Sequence, residues 1–128
     1  MCINRWLKKA VEEANSSTYK IKVGAVIFNK GEFISSGHNY GCRSIKNHHP
    51  KFRKEKYSIH AEVDAIIRAK QDLKGASILV VRVNNQNQFR LSKPCEKCRK
   101  YLKHVGVKKV YFSISEFPYI ERMKTNGI

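Results

Sequence analysis

The stretch HAEVDAIIRA at residues 60–69 and the stretch PCEKC at residues 94–98 place metal-ligating side chains at the predicted starts of two helices. His60 offers one imidazole, and Cys95 and Cys98 offer two thiolates, which are ligands that zinc prefers. Three protein ligands leave the fourth tetrahedral position open for water, as is typical of a catalytic zinc site. Zinc lowers the pKa of bound water to about 7, so that a nucleophile forms at neutral pH. The two stretches therefore predict a catalytic zinc centre.

The starts of these helices also favour the chemistry of the neighbouring side chains. A helix N-terminus carries a partial positive charge, which favours the thiolate forms of Cys95 and Cys98. Glu62 lies two residues after His60, where a carboxylate can move protons near the metal, although a solvated carboxylate also suits a first helical turn. A Cys-x-x-Cys motif alone would equally suit a redox pair or half of a zinc ribbon. The missing second pair of cysteines and the presence of His60 disfavour both of these alternatives.

The composition indicates one globular domain over residues 1–128, with 41% apolar and 28% charged residues. No apolar run approaches the roughly 20 residues of a membrane span, and the first residues lack the apolar stretch of a signal peptide. We therefore expect a soluble, cytoplasmic protein with no membrane partner. The 26 Lys and Arg against 10 Asp and Glu give a formal net charge of +16. This excess predicts an acidic partner such as a nucleotide or nucleic acid, unless the basic surface serves solubility alone.

Hydrophobic periodicity predicts alternating helices and strands. The predicted elements are a helix at 3–15, hairpin strands at 22–28 and 32–36, a helix at 60–73, a strand at 77–83, a polar loop at 84–92, a helix at 95–105, a strand at 107–114 and a helix at 116–125. This order predicts a three-layer α/β/α fold with a central mixed sheet of four strands, or five. Because almost nothing follows the last helix, we expect four strands, with the exposed edge covered by a neighbouring subunit or by that helix.

The two half-sites together form the H-x-E and P-C-x-x-C pattern of zinc deaminases. Over nearly its whole length the sequence resembles the cytidine and deoxycytidylate deaminase superfamily. GAVI at residues 24–27 and SGHN at residues 36–39 are similar to the first hairpin of that family. HAEVDAI at residues 60–66 is similar to the deoxycytidylate branch's His-Ala-Glu-x-Asn-Ala-Ile, with Asp64 where that branch usually has Asn. Arg99 and Lys100 after the second Cys differ from tRNA adenosine deaminases, and free-cytidine deaminases generally have Cys at the position of His60.

The resemblance implies a zinc-dependent hydrolytic deamination of a cytosine nucleotide, first of all deoxycytidylate (dCMP) to deoxyuridylate (dUMP). Zn²⁺ is the implied cofactor, with His60, Cys95 and Cys98 as its ligands. Glu62 is the implied catalytic residue, which takes a proton from water and passes protons to N3 of the base and to the leaving amino group.

The resemblance also implies contacts to the substrate. Asn39 has the position of the family's sugar contact, although a turn residue beside two glycines is an equal alternative. The backbone of Ala61 and the carbonyls around Ser92 and Pro94 are expected to contact the edge of the base. Because members of the family are commonly homo-oligomers, we expect a homo-oligomer here as well.

The basic loop at residues 40–57 keeps further interpretations open. Together with the second half-site it carries more cations than one 5′-phosphate needs, so a deaminase of single-stranded DNA or RNA, including adenosine in tRNA, is the alternative. A non-catalytic, zinc-dependent nucleic-acid-binding module is another alternative, which an intact Glu62 disfavours. Cys42, His48 and His49 offer three ligands for a second, structural zinc, one fewer than a closed site needs. The cations are Arg43, Lys46, Lys51, Arg53, Lys54, Lys56, Lys93, Lys97, Arg99, Lys100 and Lys103.

Overall fold

The computed structural model describes residues 3–17, 21–41 and 58–124, and the described chain forms a mixed sheet with helices on both faces. The elements are α1 (Asn4–Asn15), β1 (Lys22–Asn29), β2 (Glu32–His38), β3 (Tyr40–Gly41), β4 (Ser58–Ile59), α2 (Ala61–Ala69), β5 (Ser77–Val83), β6 (Phe89–Arg90), α3 (Glu96–Val105), β7 (Lys109–Ser113) and β8 (Ile120–Lys124). The main sheet has the order β2-β1-β5-β7-β8, and the short β6 pairs with β5. β5 and β7 are parallel, whereas the other neighbours are antiparallel. The predicted mixed sheet is confirmed.

Alternate residues of the central strands enter two cores on opposite faces of the sheet. In β1, Ala25 and Ile27 belong to the core under α2 and α3, whereas Val26 and Phe28 belong to the core under α1. Trp6 of α1 stacks on Phe28 with 5.1 Å between the ring centroids. Because side chains alternate between the two faces of a strand, the almost continuous apolar run of β1 serves both cores. The three-layer α/β/α architecture is as predicted.

Two glycines allow the helices to approach the first hairpin closely. A Cβ atom at Gly24 would overlap the backbone of α1 at Ala14, and a Cβ atom at Gly37 would overlap the backbone of α2 at Ala65. Any larger residue would push a helix away from the sheet. The end of β2 therefore lies directly against the first turns of α2.

The helix predicted at residues 116–125 is wrong, because this segment forms β8. A turn reverses the chain after β7: the Ile114 N–H donates to the Tyr119 carbonyl, and the Tyr119 N–H donates to the Glu116 carbonyl, both at 2.8 Å. β8 then pairs antiparallel with β7. This pairing satisfies backbone groups that a helix would have left unpaired at the edge of the sheet. The main sheet has five strands and the short β6 rather than four strands, and a strand of the same chain covers the edge of β7.

Smaller differences concern the ends of elements. β6 forms within the segment predicted as a polar loop, and α2 ends at Ala69 because Lys70 adopts a left-handed conformation with φ 51°. Cys42, His48, His49 and the six cations between residues 43 and 56 lie outside the described residues. Within the described ranges, the structure has no helix of the length and apolar character that crossing a membrane requires.

Candidate active site

Three metal-ligating side chains meet at the starts of α2 and α3. His60 is the N-cap of α2, Cys95 is the N-cap of α3, and Cys98 lies in the first turn of α3. His60 Nδ1 lies 3.1 Å from Cys98 Sγ and 3.7 Å from Cys95 Sγ. The three ligand atoms all lie within 4.8 Å of one another. The structure therefore brings together the three side chains that the spacing of the motifs singled out.

These separations fit a zinc ion. Zinc binds nitrogen at about 2.0 Å and sulfur at about 2.3 Å, so a tetrahedral angle places the two donor atoms about 3.6 Å apart. Cys98 is buried, His60 is half-buried and Cys95 is exposed, so one side of the cluster is accessible to solvent. Within the described part of the chain, no fourth His, Cys, Asp or Glu joins the cluster. This donor set matches an open, catalytic type of zinc site rather than a closed, structural one.

The two thiols differ in acidity. Hydrogen bonds with Cys98 and then with His60 lower the pKa of the Cys95 thiol to about 3. The pKa of the Cys98 thiol is raised, because Cys98 hydrogen-bonds to Cys95 and is buried. Cys95 therefore ionises first, and a cation that binds both sulfurs must displace the proton of Cys98.

Glu62, the second residue of α2, is only 5% exposed. Burial raises the pKa of its carboxyl, against the opposing effects of His60 and of the residue's own backbone N–H. A carboxyl with a raised pKa takes up a proton more readily than an ordinary carboxyl, as a group that accepts and then releases protons must. This buried position does not match the alternative of a solvated carboxylate.

A cavity of about 270 Å³ adjoins the ligand cluster. Its wall includes most of the residues that sequence reasoning assigned to the site. These are Asn39, His60, Ala61, Glu62, Ser92 and Cys95. Pro94 is buried and is not part of this wall, so the structure does not bring its carbonyl to the cavity.

Asn39 lines the cavity and also holds the start of β1. Its Oδ1 accepts from the Val23 N–H at 2.9 Å, and its Nδ2 donates to the Ile21 carbonyl at 2.6 Å. One N–H and one lone pair of the amide are left over from these two bonds. Both interpretations of Asn39 are therefore compatible with its geometry: the side chain stabilises a turn and still faces a ligand site.

The hydroxyl of Ser92 is committed to the protein interior. Ser92 Oγ donates to the Val80 carbonyl at 2.7 Å and accepts from the Ser113 N–H at 2.8 Å. These bonds tie the segment before α3 to β5 and β7. The Ser92 N–H also donates to the Ser113 carbonyl at 3.0 Å, which leaves the Ser92 carbonyl as the group expected to contact the base.

Sequence reasoning missed Arg82 and included Lys93 only in a general basic cluster. Both side chains line the cavity. Within the described residues, neither side chain forms an ion pair with a carboxylate. Arg82 could have been found as the single charged residue in the strand sequence SILVVRV. In a strand, residues 78, 80 and 82 share one face, so Arg82 lies on the same face of the sheet as Ile78 and Val80, which is the face covered by α2 and α3.

The sequence also matches known deaminases. The sequence pattern of the cytidine and deoxycytidylate deaminase zinc-binding region matches residues 2–114. A protein of Aliivibrio fischeri, named "Uncharacterized deaminase in luxG 3'region", is 30% identical over 117 residues, which cover 85% of this chain and 73% of that protein.

Two solved structures show the same fold. The dCMP deaminase of the cyanophage S-TIM5, in complex with dCMP and dUMP, is 23% identical with a TM-score of 0.63, covering 87% of this chain and 79% of that one. The cytidine deaminase of Burkholderia pseudomallei is 16% identical with a TM-score of 0.71, covering 99% of this chain and 95% of that one. At such low sequence identities, these two structural matches support the fold only.

Proposed function

Because the chain belongs to the cytidine and deoxycytidylate deaminase family, whose members are zinc-dependent deaminases, we propose that it converts dCMP and water to dUMP and ammonia. The observation that carries this proposal is one cavity that joins the ligand cluster and Glu62 to two cations, Arg82 and Lys93. The cyanophage protein of the same fold binds dCMP and dUMP, which supports a pyrimidine nucleotide as the substrate.

The ligand cluster and Glu62 have separate roles in the proposed reaction. His60, Cys95 and Cys98 would hold Zn²⁺, which would supply the acidity that activates water at neutral pH. Glu62 takes a proton from this water as its oxygen bonds to C4 of cytosine. The carboxyl delivers this proton to N3, then takes the second proton from the hydroxyl formed at C4 and delivers it to the amino nitrogen, so that the C4–N bond breaks and ammonia leaves. The buried position of Glu62 keeps these proton transfers away from bulk water.

Arg82 and Lys93 favour a nucleotide over a nucleoside. A phosphate monoester carries nearly two negative charges, and it binds well to a guanidinium fork and to an ammonium group. Two cations that share a cavity and lack a carboxylate partner in the described chain repel each other until an anion binds. The backbone of Arg82 is held in place because its N–H donates to Ser113 Oγ at 3.0 Å. The 5′-phosphate is the part of dCMP that matches this charge.

The remaining contacts follow from the other residues of the wall. The N–H of Ala61 lies in the first turn of α2, where backbone donors have no partner within the helix, so it can bond to the base. Ser92 lines the same cavity, so we assign its carbonyl to the edge of the base, and we assign the sugar to the part of the Asn39 amide that its two hydrogen bonds leave over.

The test compares dCMP with deoxycytidine as substrates of the zinc-loaded protein, and the release of ammonia measures the reaction. We expect kcat/KM for dCMP to exceed that for deoxycytidine by about 100-fold or more. Arg82→Gln should reduce this ratio at least about tenfold, because a hydrogen bond to a charged group contributes about 1.5–3 kcal/mol.

Arg90→Gln is the matched control. Arg90 pairs with Arg82 across β5 and β6, but it bonds to the Phe89 carbonyl and lies outside the cavity wall. It should leave the substrate ratio unchanged. Equal use of deoxycytidine would contradict the proposal, and so would activity confined to single-stranded DNA, RNA or tRNA.

A further inference from the structure

The contact between β2 and α2 contains a buried carboxylate that the proposed reaction does not use. Asp64 of α2 is 4% exposed. Its Oδ2 accepts a hydrogen bond from the backbone N–H of His38, the last residue of β2, at 3.1 Å. Arg68, one helical turn later, donates from Nε to the same carboxylate at 3.2 Å. Asp64 thus binds a helix to the end of a strand through a main-chain donor.

The residue that follows this main-chain donor is Asn39, which lines the cavity. Asn39 in turn holds the backbone of Ile21 and Val23, and these two residues belong to the same wall. α2 carries His60 and Glu62 at its start, on the metal side of the cavity. The hydrogen bond from His38 to Asp64 therefore joins the metal side of the cavity to the side formed by Asn39, at the residue next to Asn39.

The other contacts between β2 and α2 are neutral and lie earlier in the strand. Ser35 Oγ donates to the Ala65 carbonyl at 2.7 Å, and Gly37 packs on the backbone of α2. They hold the two elements together but do not bond next to Asn39. Without Asp64, the N–H of His38 would lack its acceptor at the position that adjoins the cavity.

We propose that Asp64 is a positioning residue, which sets the place of Asn39 relative to Glu62 and so the fit of the sugar of the bound nucleotide. This inference rests on the proposed function, because it takes Asn39 as the sugar contact. An amide side chain at position 64 would keep an acceptor oxygen at the same place without the charge. The role therefore depends on the acceptor and not on the charge.

Steady-state kinetics of the zinc-loaded protein and three variants tests the role of Asp64. Asp64→Ala should raise KM for dCMP by about tenfold while kcat changes by less than about threefold, because an interaction with the non-reacting part of the substrate is weakened. Asp64→Asn should restore KM to within about threefold of the wild type. Ser35→Ala removes the other side-chain bond between β2 and α2, so it should lower stability without raising KM.

Amide hydrogen exchange supplies a readout that does not depend on turnover. The His38 amide should exchange faster in Asp64→Ala than in the wild type or in Ser35→Ala, with zinc content unchanged. If Asp64→Ala does not fold, Asp64→Ser is measured instead, because its shorter side chain cannot reach the His38 N–H.

An unchanged KM in a folded Asp64→Ala protein would overturn the inference, and so would an equal rise of KM in Ser35→Ala. Failure of the proposed function has a different signature, because the wild-type protein itself would then not deaminate dCMP.

Discussion

Two glutamates on helices at opposite faces of the sheet have different surroundings: Glu13 is half-buried and Glu62 is buried. Glu13 of α1 accepts from Ser36 Oγ at 2.6 Å and from His38 Nδ1 at 2.8 Å. Burial acts to raise the pKa of Glu13, but the hydrogen bonds from Ser36 and His38 prevail and lower it. Burial prevails at Glu62 and raises the pKa of its carboxyl. The hydrogen bonds to Glu13 suit a carboxylate that stabilises the fold, whereas a buried carboxyl with a raised pKa beside a candidate metal site is a candidate for proton transfer.

The difference is one of surroundings and not of residue type. Each cluster combines a glutamate with a histidine: Glu13 with His38, and Glu62 with His60. The first pair bonds across the contact between α1 and β2. The second pair lies beside two cysteines and opens on the cavity. Substitutions in the two clusters should therefore have separate effects, on stability in the first and on chemistry in the second.

Loss of a metal ligand should have the largest effect. Cys98→Ala leaves only His60 and Cys95 to hold zinc, so we expect zinc content to fall to less than about a tenth of one ion per chain and turnover to fall at least about 10³-fold. Metal analysis and ammonia release measure the two quantities. A variant that keeps a full complement of zinc would remove Cys98 from the ligand set.

Glu62→Gln should separate proton transfer from metal binding. The amide keeps the shape of the side chain but cannot accept the proton of water, so we expect kcat to fall by about 10²–10⁴-fold. Zinc content should stay at the wild-type level, because Glu62 is not a ligand in the proposed site. Retained turnover would show that another group moves the proton. Glu62 would then not differ from Glu13 in having a role in the reaction.

Glu13→Gln should have the smallest effect, and it should be confined to stability. The pKa of Glu13 in the folded protein lies below the ordinary value of 4.5, so its ionised form stabilises the fold. This contribution is complete above about pH 4.5 and is lost as the pH falls through the lowered pKa. We expect the free energy of unfolding to fall by about 1 kcal/mol at pH 7, and the difference from the wild type to vanish in acid.

Urea unfolding at several pH values measures the effect of Glu13→Gln. Glu12→Gln is the matched control, because Glu12 is the exposed neighbour on the same helix and should change stability by less than about 0.5 kcal/mol. kcat should be unchanged in both variants. A loss of stability that persists at acid pH would show that the charge of Glu13 is not its cause.

The three candidate metal ligands could be predicted from sequence because their residue types stand in a recognisable spacing, although the fold must bring His60 and Cys98 together across 38 positions. The hydrogen bond from His38 to Asp64 could not be predicted, since its donor is a main-chain N–H, which almost every residue carries. β8 was missed for a related reason: its strand conformation depends on the open edge of β7 and not on its own periodicity.

The side chains at the starts of α2 and α3 come before and after β5 in the chain, and His60 and Cys98 are 38 positions apart. A cation held between them would close a loop of chain that contains this strand, as a covalent cross-link does. Such a closure lowers the entropy of the unfolded chain, so zinc would stabilise the fold in addition to its role in the reaction. Zinc starvation of a cell would accordingly reduce the amount of folded protein as well as its turnover.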